Sequence, residues 1–268
     1  MSDRPHDSRS LLPDVETAVR EAGALALRSF KRPVRSWYKG GNSPVSDADI
    51  AVDRLLRERL AALAPHSGWM SEETDDDAAR LAAAQVWIVD PIDGTRAFLA
   101  GLPDWTISVA LARAGRPVLA AVYAPVTDEL FLAAAGAGAT RNGSPIAATG
   151  GSDLRGARVA GPRRYLESLS AISPAIVIEP KVNSLALRLT RVAQGVFDVA
   201  FASHHSHDWD LAAADLLVHE AGGTLTTFGG EVLAYNRPEP THGALIAAGR
   251  PRHRALSELM KDRPIGHR

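Results

Sequence analysis

Cysteine is absent from all 268 residues of this chain, which excludes disulfides, thiolate metal sites and cysteine nucleophiles together. A dominant charge is missing as well. The 30 Lys and Arg against 31 Asp and Glu leave a formal net charge of −1, too little to draw a nucleic-acid polymer or an anionic membrane to the surface. No stretch approaches the ~18 consecutive apolar residues of a membrane span. The first 30 residues alternate charge with short apolar pieces and lack the apolar core of a signal peptide. What remains is ordinary for a folded protein, with 46% hydrophobic and 23% charged residues. The length allows one large domain or two small ones. A cytoplasmic enzyme acting on a small molecule is the expectation.

Residues 1–10 are polar and expected to be disordered. Leu12, Val15, Val19, Ala22, Ala26 and Phe30 recur at three- and four-residue steps, which predicts a helix from Leu11 to Phe30. Ile50, Val52, Leu55, Leu56, Leu60 and Leu63 predict a second from Asp49 to Ala64. Between them, Pro33, Gly40, Gly41, Asn42 and Pro44 mark a long exposed loop or loose hairpin, a lid candidate hinged at Gly40-Gly41. Strands are expected at Gly68–Met70, Val86–Val89, Thr106–Arg113 and Pro117–Ala124, then a hairpin from Glu129 through the Arg141-Asn142-Gly143 turn. Beyond the loose Gly/Ser segment 150–156, buried strands are expected at Val159–Gly161 and Ala175–Glu179. Helices follow at Leu185–Gly195 and Trp209–Ala221, strands at Thr224–Phe228 and Leu245–Ala248, and a closing helix at Arg252–Lys261. Mixed helices and antiparallel strands predict an α+β or layered α/β architecture. Its halves would be 11–148, carrying most of the acidic clusters, and 149–268.

Four acidic clusters stand out: Ser46-Asp47-Ala48-Asp49, Ser71-Glu72-Glu73, Asp90-Pro91-Ile92-Asp93 and His207-Asp208-Trp209-Asp210. Helix capping accounts for Asp47, Asp49, Asp208 or Asp210 taken singly, and solvation for Glu72 and Glu73. The third cluster is different. Trp87-Ile88-Val89 ends a buried-looking strand and opens at once on Asp90, Asp93, Gly94 and Thr95. That order places hard oxygen ligands, a backbone open to close approach and a helix start at one point. Mg²⁺ takes carboxylate, carbonyl and water oxygens and is often shared with a substrate phosphate, and helix N-termini offer N–H groups to anions. Metal-assisted phosphate chemistry is the reading. The three-residue step from Asp90 to Asp93 does not fit the Asp-x-Asp of aspartyl-nucleophile phosphatases. No P-loop string occurs, and Gly136-Ala137-Gly138 lacks the third small residue of a dinucleotide fingerprint.

In order and spacing these clusters resemble the inositol monophosphatase family of Mg²⁺-dependent, lithium-sensitive phosphomonoesterases. Val45–Asp49, Ser71-Glu72-Glu73, Trp87–Thr95, Trp209–Ala214 and Glu220-Ala221-Gly222-Gly223 carry the resemblance, which runs from Leu11 to Lys261. Ala214 departs from it, standing where the family has glycine. The resemblance implies a layered α-β-α-β-α sandwich, allows a homodimer, and implies two to three Mg²⁺ ions. Glu72, Asp90 and the Ile92 carbonyl would hold one ion, and Asp90, Asp93 and Asp210 the next, with a weaker third near Glu72. Asp49 and Thr95 would be the catalytic pair that orients and deprotonates the attacking water. Asp93, Gly94, Thr95, Ser184, His207 and Asp210 would contact a small phosphorylated metabolite, the phosphate resting on the Gly94 and Thr95 N–H groups.

The alcohol is less legible. Inositol-selective members of the family place a glutamate about seven residues before the Trp-Asp pair, where this chain has Ala202 and Ser203. Asn183-Ser184 also stands where Gly-Ser/Thr is usual. The segment before Trp209 is closest in style to bacterial CysQ-type members, which remove the 3′-phosphate of 3′-phosphoadenosine 5′-phosphate. Lys181, Arg188, His204, His205 or His207 would meet the extra phosphate. Inositol 1-phosphate, histidinol phosphate and sugar phosphates are the alternatives. The histidine spacing matches no zinc motif. A non-enzymatic regulator is disfavoured because every ligand position is filled.

Overall fold

The structure is a computed structural model that describes residues 8–40 and 43–262. Most of the N-terminal segment expected to be disordered, 1–7, lies outside these residues, as does Gly41 of the expected hinge. Ser8–Leu11 form a short 3₁₀ turn, so regular structure begins inside that segment.

Helices α1 (Leu12–Ser29) and α2 (Asp47–Leu63) bury the expected stripes, Val15, Val19, Ala22 and Ala26 on one and Val52, Leu56 and Leu60 on the other. Full burial of each valine or leucine in these stripes is worth ~1.5–3 kcal/mol, enough to set which face of each helix turns inward. The segment between them resolves into an antiparallel hairpin of β1 (Ser36–Lys39) and β2 (Ser43–Ser46). There follow β3 (Gly68–Ser71), β4 (Gln85–Asp93), the short helix α3 (Thr95–Leu99), β5 (Thr106–Arg113), β6 (Arg116–Ala124), β7 (Glu129–Ala134), β8 (Ala139–Arg141) and β9 (Ser144–Pro145). Strands β3 to β9 lie side by side in chain order, antiparallel except for the parallel β3–β4 pair.

The second half contributes β10 (Arg158–Ala160), α4 (Arg163–Ile172), β11 (Val177–Ile178), α5 (Leu185–Ala193), β12 (Val199–Ala202), β13 (Ser206–His207), α6 (Asp208–Glu220), β14 (Gly223–Thr227), β15 (Thr241–His242), β16 (Leu245–Gly249) and α7 (Arg250–Asp262). Five of its strands form a sheet in the order β11-β10-β12-β16-β14. Two expectations are corrected here. The strand at Ala175–Glu179 shortens to two residues and is an edge rather than a buried strand, because Val177 and Ile178 are both exposed. Helix α4 and strand β12 occupy segments where no element was expected.

Alternation along the strands sets the layers. Trp87, Val89, Val109, Leu111, Leu119 and Ala121 face α1 and α2. Their neighbours Val86, Ile88, Ala110, Ala112, Ala120 and Val122 share a second core with α5, α6 and the inner face of the five-stranded sheet. The outer face of that sheet packs Val159, Val199, Phe201 and Ile246 against Tyr165 and Leu169 of α4 and Leu256 of α7. Both faces of each central strand are buried, so these strands read as unbroken apolar runs. The result is the expected α-β-α-β-α sandwich. Its middle layer brings α5 and α6 to the end of β4.

Candidate active site

Strand β4 ends in a defect that creates the site. Asp90 pairs with Ser108 and Asp93 with Thr106, so three steps on β4 oppose two on β5. One extra residue is accommodated as a bulge. In a regular strand, residues three apart face opposite sides; the bulge returns Asp93 to the side of Asp90. Val89 and Ile92 accordingly both pack into the α1/α2 core. Asp90 and Asp93 turn toward α6, where Asp210 stands in the first turn. These three carboxylates each offer an oxygen within 4.8 Å of the others.

Three site carboxylates are also tied to helix starts. Asp49 accepts from the Ser46 N–H at 2.8 Å and the Ser46 hydroxyl at 2.6 Å at the head of α2. Asp93 accepts from the Ser184 hydroxyl at 2.5 Å and from the Leu185 and Ala186 N–H groups at 3.2 and 2.7 Å, at the head of α5. Asp210 accepts from the His207 N–H at 2.7 Å at the head of α6. Capping and active-site placement are therefore the same contacts, which is why single-residue reasoning from sequence could not separate them. Asp208 instead turns inward to His242 at 2.7 Å and the Asn236 N–H at 2.7 Å.

Beside the cluster, the Thr95 hydroxyl lies 3.3 Å from Asp49 Oδ1 and 3.1 Å from the Ile92 carbonyl oxygen. The Ile92 N–H donates to Asp90 Oδ1 at 3.0 Å. Neither the Gly94 nor the Thr95 N–H has an acceptor among the described residues. The His207 imidazole stacks on Trp209, with centroids 4.5 Å apart and planes at 4°. Burial holds its pKa down and keeps it neutral near pH 7.

Glu72 stands outside the compact trio. Its carboxylate accepts from the Ser43 hydroxyl at 3.3 Å and lies 3.7 Å from the Lys39 ammonium. Lys39 also donates to the Glu72 carbonyl at 2.6 Å and pairs with Glu73 at 2.8 Å. The hairpin thus brings a cation to the carboxylates, a residue the sequence reading missed. No periodicity marks a lysine in a polar loop as one that reaches across to another strand.

Burial is the main force on these acids. It raises Asp90 and Asp210 well above the usual carboxylate range, aided by repulsion from Glu72 and Asp93. It lifts Asp49 to about 6, Asp93 to about 6 and Glu73 to about 7. Such a cluster is unfavourable alone and fits a small divalent cation. Its donors are hard oxygens, and the trio contains neither thiolate nor imidazole, the donor set suited to Mg²⁺.

The sign of the pH effect follows. In the unfolded chain these groups titrate near ~4. Their raised values in the metal-free fold stabilise it most below ~4, and that contribution is lost as pH rises through about 6 to about 7. The increase in Tm produced by Mg²⁺ over EDTA should therefore be larger at pH 8 than at pH 5. Equal increases at the two pH values would show that the acids do not carry this strain.

Gly94 carries a second constraint. Its φ of 96° is left-handed, and a Cβ there would sit 3.2 Å from both the Asp104 carbonyl oxygen and the Ser184 nitrogen. Gly94→Ala should cost about 1–3 kcal/mol in a denaturant melt. It should also lower activity by displacing Asp93 and Thr95 on either side.

Acids drawn together at the crossing of a bulged strand and two helix starts, next to a hydroxyl–carboxylate pair, mark a phosphoric monoester hydrolase built on a layered sandwich. The comparisons give that class its family. Residues 7–263 match the sequence profile of the inositol monophosphatase family, and the chain belongs to that family. The protein named inositol-1-monophosphatase from Rhizobium meliloti is 34% identical over 269 residues, 96% of this chain and 97% of its own. Nus factor SuhB of Escherichia coli is 32% identical over 224 residues, 80% of this chain and 83% of its own. The crystal structure of the extragenic suppressor protein suhB from Bartonella henselae superposes with a TM-score of 0.82 at 27% identity, covering 94% of this chain and 98% of that one.

Proposed function

We propose that the chain hydrolyses the phosphate monoester of a small polyhydroxylated metabolite in a Mg²⁺-dependent reaction, with inositol 1-phosphate as the leading substrate. The observation that carries the metal dependence is the convergence of Asp90, Asp93 and Asp210 oxygens within 4.8 Å. Glu72 and the Ile92 carbonyl would complete the sites for two to three ions. Bound there, Mg²⁺ would neutralise the carboxylates and the substrate phosphate and lower the pKa of water. The protein's own part is orientation and proton transfer. The Thr95 hydroxyl donates toward Asp49 Oδ1 and leaves its oxygen to accept from the attacking water, so Asp49 is the eventual base. The free N–H groups of Gly94 and Thr95 would take phosphate oxygens.

Inositol 1-phosphate leads because of the near full-length similarity to the Rhizobium protein of that name. One contact supports the same choice. Arg188, a candidate for an extra phosphate, donates instead to the carbonyls of Phe201 at 3.2 Å and Val182 at 2.8 Å. The second reading is the 3′(2′),5′-bisphosphate nucleotidase of CysQ type. It is favoured by Lys181, His204 and His205, all exposed, and by the absence of a glutamate at Ala202 and Ser203.

The test is Mg²⁺-dependent phosphate release from inositol 1-phosphate, 3′-phosphoadenosine 5′-phosphate, fructose 1,6-bisphosphate and histidinol phosphate. A higher kcat/KM for inositol 1-phosphate supports the leading reading. A clear preference for the nucleotide replaces it with the second, and no hydrolysis of any of the four overturns both.

A further inference from the structure

The outermost helical layer contains a cavity of about 660 Å³ with no part in the chemistry above. Its volume falls in the range of small-molecule sites, ~300–1,000 Å³. One wall is α7, where Arg250, His253, Arg254, Ser257 and Glu258 recur at three- and four-residue steps on a single face. The other wall is the end of β14 and the turn after it, with Phe228 as its aromatic surface and Met260 closing the apolar side.

The arginines of this helix divide sharply. Arg252 is buried and fully used, donating to the Thr149 hydroxyl at 2.8 Å and the Asp153 carbonyl at 3.0 Å and lying 3.4 Å from Asp198. Arg250 and Arg254 line the cavity, are exposed, and have neither an ion pair nor a side-chain hydrogen bond among the described residues. Like charges four residues apart on a helix repel. Arg250 also opens the helix, where the dipole disfavours cations and the first turn has no acidic residue. Glu258, one turn beyond Arg254, forms no ion pair with either of them among the described residues. Between them His253 is buried and held by Thr226 at 3.0 Å, and burial keeps it neutral. Two guanidinium groups without an ion pair among the described residues, a fixed imidazole and an aromatic wall thus line one half-open pocket.

We infer that this cavity is a second ligand site, one that takes a small molecule carrying a phosphate or phosphonate group on an aromatic or apolar body. The guanidinium forks of Arg250 and Arg254 match the geometry of phosphoryl oxygens. Phe228 and Met260 cover the body. Glu258 accepts from a hydroxyl or amine on the ligand. The site lies across the five-stranded sheet from α6, so its occupant does not compete with substrate for Asp210.

Phenylphosphonate, which is not hydrolysed, is the probe, titrated calorimetrically into the full chain in EDTA, where the bare carboxylates of the catalytic cluster repel anions. The expected result is saturable one-to-one binding that weakens at least about tenfold in the Arg250→Glu/Arg254→Glu variant. That variant should keep its circular dichroism and its Mg²⁺-dependent activity, since neither arginine supports the fold. The Asp93→Asn variant should bind phenylphosphonate as the parent does. No binding to the parent, undiminished binding to the double arginine variant, or loss of binding in Asp93→Asn each overturns the inference.

Discussion

Asp93→Asn should lower kcat for Mg²⁺-dependent phosphate release by on the order of 10³-fold or more, since it removes a charge from the three-carboxylate cluster proposed above to hold divalent cations. The substitution keeps shape and volume, and an amide oxygen in the Oδ2 position still accepts from Ser184 and Ala186 at the head of α5, so only the longer 3.2 Å contact from the Leu185 N–H loses its acceptor. Unfolding should therefore change little, and thermal melts in EDTA should nearly superpose on those of the parent. Asp93→Ala removes the acceptor as well and should cost a further ~1–2 kcal/mol of stability through the lost cap. The two variants together separate catalysis from scaffolding. Retention of more than a tenth of parental kcat in Asp93→Asn would refute the assignment of Asp93 as a ligand.

Loss of the hydroxyl–carboxylate pair is the other large effect. Thr95→Ala and Asp49→Asn should each lower kcat by ~10²–10⁴-fold, the range for removal of general acid–base assistance. Apparent affinity for Mg²⁺ should stay near its parental value, because neither side chain belongs to the Asp90–Asp93–Asp210 trio. The two residues act on one proton, so the double variant should be little worse than either single one. Thr95→Ser should recover most of the rate. The pH profile supplies an independent check. Burial lifts Asp49 to about 6 in the metal-free fold, and nearby Mg²⁺ pulls that value down. The rate should fall as pH drops through an acid limb at or below about 6, and Asp49→Asn should abolish that limb. Additive losses in the double variant would show that Thr95 and Asp49 do not work as a pair.

Much of this fold was legible because both sheets are buried on both faces. Runs such as Val86–Val89 and Thr106–Leu111 announce strands whichever face is considered. Helices α1, α2, α5 and α6 announce themselves by spacing or by a following glycine. Helix α4 was missed because it buries only Tyr165, Leu166 and Leu169 and begins on two arginines, too few apolar positions to make a stripe. Strand β12 has four residues, and β11 is an exposed edge whose valine and isoleucine resemble those of a core strand. At the site, motif order gave away the acids but not their partners. That Asp93 would cap α5, 91 residues from Ser184, depends on how the second half folds back across the first. The reach of Lys39 to Glu72 and Glu73 depends on the hairpin closing over β3.

The bulge in β4 bears on any attempt to move this chemistry into another protein. Grafted onto a straight strand, the string Asp90-Pro91-Ile92-Asp93-Gly94-Thr95 would present its two aspartates on opposite faces, one toward a core and one toward the intended pocket. Correct presentation needs the neighbouring strand as well, offset so that Ser108 and Thr106 stand opposite Asp90 and Asp93. The portable unit is thus a mismatched pair of strands, and a designer copying the six-residue motif alone would inherit the letters without the geometry.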